Sequence, residues 1–220
     1  MSYNIRHIRA LNNPRLLLSA VNEPESGQRF GSSAAGGLPQ HALLTRGMRV
    51  MLTANTDLSN GLSNGSIGTV IGIIFVNATD EMPEVLVQFD TYAGQSCLPE
   101  VPRVYPISPI TRTWTEGRVS FKRTMVPLVA AYGFSIHKSQ GQTLGKVILN
   151  LGNREFAAGL TYTALTRAKC LKDMAFLPMP SFSRFENVLR SKTFRTQLAD
   201  DTKKKGMEEE MLERNPEFTA

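Results

Sequence analysis

Residues 128–151 read LVAAYGFSIHKSQGQTLGKVILNL: an apolar run from Leu128 to Ile136, an abruptly polar passage, then a second apolar run from Lys146 to Leu151. The pattern predicts a strand, a turn and a strand. Phe156 to Ala168 predicts a helix, with Leu160, Thr163, Ala164 and Arg167 at helical spacing, although Thr161 and Thr163 lower its propensity. Met174 to Leu177 predicts a third strand. Strand, turn, strand, helix, strand is the grammar of a parallel sheet in an α/β domain. After Pro180, the spacing of Phe182, Phe185, Val188 and Leu189 predicts one more helix, and a charged tail follows from Asp200.

Upstream the pattern changes. Arg49 to Leu52 reads as a short buried strand, and Asn60-Gly61 and Asn64-Gly65 are tight-turn signals, with Gly61, Gly65 and Gly68 read as turn glycines. Ile67 to Val76 and Val85 to Phe89 are β-branched and alternating, separated by a polar turn around 77–83. Val101 to Trp114 alternates through three prolines, and Arg118 to Lys122 could add a strand. The middle of the chain is therefore expected to be a meander of short strands forming a small barrel. Residues 22–40, rich in Gly, Ser and Pro, read as loop. Arg6, Arg9 and Arg15 precede the first acid, Glu23, as in an organelle presequence, but Asn12, Asn13 and Pro14 interrupt any amphipathic helix there.

The 220 residues carry a net charge of +6, spread unevenly. From Met51 to Glu100 there is no Lys or Arg, and the six acids make that window −6, which leaves +12 on the rest. Basic clusters stand at Arg103, Arg112, Arg118, Lys122 and Arg123, and again between Arg167 and Lys205. A polyanion would favour the second half of the chain, although the same charges also suit an ordinary solvated surface. Cys97 and Cys170 are too far apart for a metal knuckle or a disulfide framework, so a reducing compartment is expected. No apolar run approaches the roughly 18–20 residues of a membrane span.

Two segments carry chemistry. Ser135 to Leu144 leaves an apolar strand with hydroxyls, an imidazole, an ammonium and a glycine, at the carboxyl end of a strand where α/β sheets bind ligands. Such groups suit phosphate oxygens, and they would equally serve as a polar turn capping a helix. Ala164 to Lys169 places Arg167 at a helix end, where it would complement the dipole or reach toward a γ-phosphate as an arginine finger. No P-loop lysine, no acidic pair at a strand end for Mg²⁺ and no metal-ligand set can be read. His7, His41 and His137 support no catalytic triad, since no acid is near His137 in sequence.

Ser135 to Leu144, followed by Phe156 to Leu160 and Ala164 to Arg167, resembles motifs V and VI of superfamily-one helicases, with the close match to Pif-type eukaryotic DNA helicases. Gly47 to Thr53, with Asn64-Gly65 and Gly68 to Val70, is similar to the family's strand before its SH3-like insertion. The likeness continues through Val85 to Asp90, Ser96 to Pro99 and Pro106 to Trp114, and Tyr3 to Val21 looks like interior helicase sequence. The resemblance implies a second RecA-like lobe, α/β with a parallel sheet, interrupted by a small SH3-like β-barrel. Residues 1–65 and 123–200 would form the lobe, 66–122 the insertion and 201–220 a tail. It implies the carboxy-terminal half of an ATP-dependent 5′-to-3′ DNA helicase, of nuclear or else mitochondrial placement. Its partners would be single-stranded DNA and a first RecA-like lobe in cis, with ATP and Mg²⁺ bound only together with that lobe. By position Ser135, His137, Lys138 and Ser139 would face DNA, Gln140 and Gly141 would lie toward ATP, and Arg167 would reach the γ-phosphate. Gly145 stands where the family usually has aspartate after Thr-Leu, and Thr166 replaces the more usual serine. The competing reading is a non-catalytic nucleic-acid-binding module or a degenerate mobile-element relic; a barrel-bearing protein-interaction domain is a third.

Overall fold

The structure, a computed structural model, describes residues 2–77, 80–153, 157, 159–183, 185–186, 195–196, 199–200, 202–204 and 207. The chain divides into two compact units, Met1–Phe134 and Ser135 onward.

The first unit begins with helix α1, Ser2–Ala10, which Asn12 terminates in a left-handed conformation (φ 51°), one of the few side chains that tolerates it. Strands β1 (Arg15–Ser19), β2 (Val21–Glu23), β3 (His41–Thr45), β4 (Arg49–Leu52), β5 (Ile67–Ile74), β6 (Glu84–Phe89), β7 (Val104–Ile107), β8 (Ile110–Glu116), β9 (Val119–Met125) and β10 (Leu128–Ala130) follow. They form a five-stranded antiparallel sheet in the order β10-β4-β5-β6-β7, a three-stranded sheet β2-β9-β8 and the pair β1-β3. Burial alternates along β6 as period 2 requires, and Val50, Leu52, Val70, Val87, Phe89 and Leu128 are buried in one core. The strands expected at 49–52, 67–76 and 85–89 are thus present. Gly68, read as a turn glycine, lies inside β5 opposite Phe89. The expected boundaries at 65/66 and 122/123 fall within this unit, where β4 pairs with both β5 and β10 and β9 pairs with β2.

The apolar run at 128–136 is not one strand of a parallel sheet. Only Leu128–Ala130 is extended, and it pairs antiparallel with β4. The chain then bends at Gly133, whose amide and carbonyl are both taken by the side chain of Asn4 (2.8 Å each) rather than by a neighbouring strand. The loop at 22–40 is also more ordered than its composition suggests. It holds a 3-10 turn, Glu25–Arg29, and buries Ala35 and Leu38. Arg123, counted above among the surface cations, is buried beneath it.

The second unit contains β11 (Val147–Leu149), α2 (Leu160–Leu165) and β12 (Met174–Phe176). β11 and β12 pair in parallel around the intervening helix, and the parallel pairing among the described residues is confined to them and a single bridge, Leu144 to Ala168. Leu149, Leu151 and Ala164 form its core. The helix is shorter than the 156–168 expected. Gly159, left-handed at φ 82°, starts it, and Thr166 already leaves helical geometry. Phe156 and Ala158 of the quoted motif, Val188 and Leu189 of the later stripe, and most of the charged tail lie outside the described residues.

Candidate nucleotide and nucleic-acid site

Ile136–Ser139 is a 3-10 turn. Three residues per turn eclipse positions i and i+3, which sorts the side chains of this segment by spacing alone. Ile136 packs on the second unit's core and Ser139 is buried, while Ser135, His137, Lys138 and Gln140 are exposed. The Ser139 hydroxyl donates to the Ile136 carbonyl at 2.7 Å, so it serves the turn. Backbone amides of Lys138 and Gln142 donate to Ser135 and Ser139 carbonyls, both at 3.0 Å, and keep the loop tight. Gly141 is left-handed at φ 80° with open space where a Cβ would be, so its backbone is free to be approached.

Arg167 follows the last turn of α2 and is half-buried. Its Nε donates to the Thr163 carbonyl at 2.8 Å, and its Nη1 to the carbonyls of Ser139 (3.3 Å) and Gln142 (2.9 Å). Nη2 donates to Thr166 Oγ1 at 2.8 Å. A guanidinium has five N–H donors, and these bonds use four. Next to it the Leu144 amide donates to the Arg167 carbonyl at 2.7 Å. Arg167 thus ties the end of α2 to the loop that carries His137, Lys138, Gln140 and Gly141, bringing the two sequence segments into one assembly. The carbonyls of Ser139, Gln142 and Thr163 were not legible as partners, because backbone acceptors leave no residue-type signal. Gly145 has no neighbour within 4 Å of a built Cβ, so nothing in its surroundings demands glycine.

The basic clusters divide into committed and exposed side chains. Arg123 is buried, and Arg103 donates to the Asp90 carbonyl. Lys122 pairs with Glu23 at 3.5 Å, and Arg112 and Arg118 are exposed. Among the described residues no group of three His, Cys, Asp or Glu could hold a metal ion, and no helix is long and apolar enough to cross a membrane. Cys97 and Cys170 are free and exposed.

In the second unit a parallel strand–helix–strand arrangement is preceded by a polar loop, at 135–146, that Arg167 ties to the end of the helix; the loop does not leave a parallel strand, which the apolar run before it suggests. Comparison with known proteins finds similarity to Pif-type DNA helicases, the family that the motifs at 135–144 and 164–167 resemble. Residues 32–73 match the family model for the 2B domain of the DNA helicase Pif1. The chain is 37% identical over 139 residues to the ATP-dependent DNA helicase PIF1 of Rattus norvegicus, covering 61% of this chain and 19% of the relative. It is similar in structure to the Pif1 helicase of Candida albicans, with a TM-score of 0.66 and 26% identity over 90% of this chain and 46% of that one. The Bacteroides Pif1 bound to single-stranded DNA shares the fold at a TM-score of 0.62, 22% identity, 94% of this chain and 45% of that one. The chain spans about a fifth of the length of the curated relatives it matches.

Proposed function

We propose that this chain works as part of an ATP-dependent 5′-to-3′ DNA helicase, supplying contacts to single-stranded DNA and the arginine finger of a nucleotide site completed by a first RecA-like lobe. In this reading 1–65 and 123–200 act as the second lobe, 66–122 as an SH3-like insertion, and the protein works in the nucleus. The observation that carries it is the Arg167 guanidinium, held against the same loop that exposes His137 and Lys138. Ser135, His137 and Lys138 grip the phosphodiester backbone, with Ser139 holding their turn from inside. Gln140 and Gly141 lie toward the nucleotide. Turning Arg167 toward a γ-phosphate costs it the Ser139 and Gln142 carbonyls, so the loop is released as the finger engages. Nucleotide state is passed to the DNA grip by that exchange. The donors present fit one side of a triphosphate. No carboxylate cluster among the described residues fits Mg²⁺, and no step here runs through the metal.

The test is Arg167→Lys in the chain joined to a cognate first lobe. Turnover is expected to fall by roughly three orders of magnitude, with DNA and ATP binding nearly intact, because a finger acts on transition-state charge. Lysine keeps the charge and loses the planar fork. Parental turnover in a folded Arg167→Lys protein would defeat the assignment.

A second reading is favoured by the same bonds. Four of five donors of Arg167 are satisfied within the chain, which suits a nucleic-acid-binding module without catalysis. DNA affinity that ignores nucleotide in the joined protein would select it.

A further inference from the structure

Helix α1 presents a second surface that the loop at 135–141 does not account for. Tyr3, Arg6 and His7 lie on one face by their i, i+3 and i+4 spacing, while Ile8 is buried on another. The Tyr3 and His7 rings are 4.5 Å apart between centroids, tilted by 52°. His7 stacks on Tyr132 at 5.0 Å and 16°. The row is braced from below. Asn4 takes both backbone groups of Gly133, and a Cβ at Gly133 would lie 3.1 Å from the Tyr3 ring. The rings are therefore held before any ligand arrives, yet Tyr3 remains 48% exposed. Arg6 and Arg9 are exposed on the same helix, and neither has an ion-pair partner among the described residues. No acidic residue lies between Tyr3 and Asn22.

A pre-set, half-exposed ring on a helix whose guanidinium groups have no ion-pair partner among the described residues suits a single-stranded nucleic acid. Its bases offer π-faces whatever their identity, and its phosphates take the charge. A protein partner would call for a larger apolar area than one ring. We propose that Tyr3, supported by His7 and Tyr132 and flanked by Arg6 and Arg9, is a stacking platform for a base of single-stranded nucleic acid. The proposal rests on the nucleic-acid-binding reading above and adds a contact in the first unit.

The full chain is titrated by fluorescence anisotropy with a labelled oligothymidylate and with an abasic strand of the same length. The parent is expected to prefer the strand with bases. Tyr3→Leu keeps an apolar group on Gly133 but removes the π-face, and is expected to reduce that preference by about five- to hundredfold, the range for loss of one base–aromatic stack. Tyr3→Phe is expected to restore it. Arg6→Gln, on an exposed side chain with no ion-pair partner among the described residues, is expected to weaken both strands alike and to lower the salt slope by about 0.7, one phosphate on a single strand. This variant keeps the proposal open to refutation should Tyr3→Leu fail to fold. Response to Tyr3→Leu with none to Lys138→Glu sustains the platform and defeats the loop contact. Response to Lys138→Glu with an unchanged base preference in Tyr3→Leu defeats the platform and leaves the loop. A parent that binds neither strand overturns both.

Discussion

Arg123 carries a positive charge to a place with no accessible surface and, among the described residues, no carboxylate partner. Its solvation is replaced by neutral oxygens: Nε donates to Asn22 Oδ1 at 2.8 Å, Nη1 to the Leu38 carbonyl at 3.2 Å, and Nη2 to the carbonyls of Gly27 (3.0 Å) and Phe30 (2.9 Å). The Trp114 ring lies 5.5 Å from its central carbon and adds a cation–π contact. Desolvation pulls its pKa below the usual arginine value. The side chain stays charged at any physiological pH, because guanidinium does not deprotonate there. One residue on β9 therefore organises the Gly- and Pro-rich loop whose composition reads as unstructured, and it is lost to any polyanion. Arg123→Met keeps much of the volume but takes the donor from Asn22 Oδ1 and from the carbonyls of Leu38 and Phe30, each worth about 1–3 kcal/mol if left unsatisfied, while the Gly27 carbonyl keeps the Phe30 amide. The expected loss is at least about 3 kcal/mol, read as a lower urea midpoint at unchanged slope. Arg112→Met, exposed on β8, is expected to stay within about 0.5 kcal/mol of the parent.

Among the elements, β5 shows how far local pattern reaches. Its alternation and β-branched residues are legible, and so is the turn at Asn64-Gly65, yet by sequence alone Gly68 reads as one more turn glycine. Its role depends on β6. A Cβ there would lie 2.6 Å from Val87 Cγ1 and 2.7 Å from the Gln88 carbonyl, so the two strands meet only over glycine. Gly68→Ala is expected to cost about 1–3 kcal/mol, because backbone rather than a flexible side chain must move. An unchanged thermal midpoint would show that β6 yields freely. The same limit explains the apolar run at 128–136. Hydrophobicity announces a buried segment, but after Ala130 its backbone at Gly133 is taken by Asn4, more than a hundred residues away in sequence. The site divides along the same line. Which segments carry it was readable from residue types and from the family resemblance. The inward turn of Ser139 follows from 3-10 spacing, and the bonding of Arg167 to backbone carbonyls has no trace in sequence.

At the scale of the molecule, every strand pairing of β1 to β10 closes within the first unit, and its buried cluster draws on no residue beyond 132. Residues 1–134 alone are therefore expected to melt as one cooperative transition with native β-sheet content by circular dichroism. A broad, non-cooperative melt would mean the core needs the second unit. The charge of the chain does not convert into catalysis by itself. Phosphoryl transfer demands positioned donors on several phosphate oxygens at once, together with neutralisation of the charge that develops there. This chain offers Arg167, with one N–H uncommitted, beside a turn at 136–139 whose one ammonium is Lys138, and no carboxylate cluster for a metal among its described residues. A lone finger acts on a transition state that other groups have already assembled, and removing those groups leaves it nothing to stabilise. The 220-residue chain alone is therefore expected to release no phosphate from ATP above the uncatalysed rate, with or without single-stranded DNA. Joining a lobe that carries a P-loop lysine and Mg²⁺-binding acids is expected to bring turnover that Arg167→Lys removes. Single-turnover phosphate release by the highly purified chain, lost in Arg167→Ala, would show instead that these residues hold a complete catalytic centre.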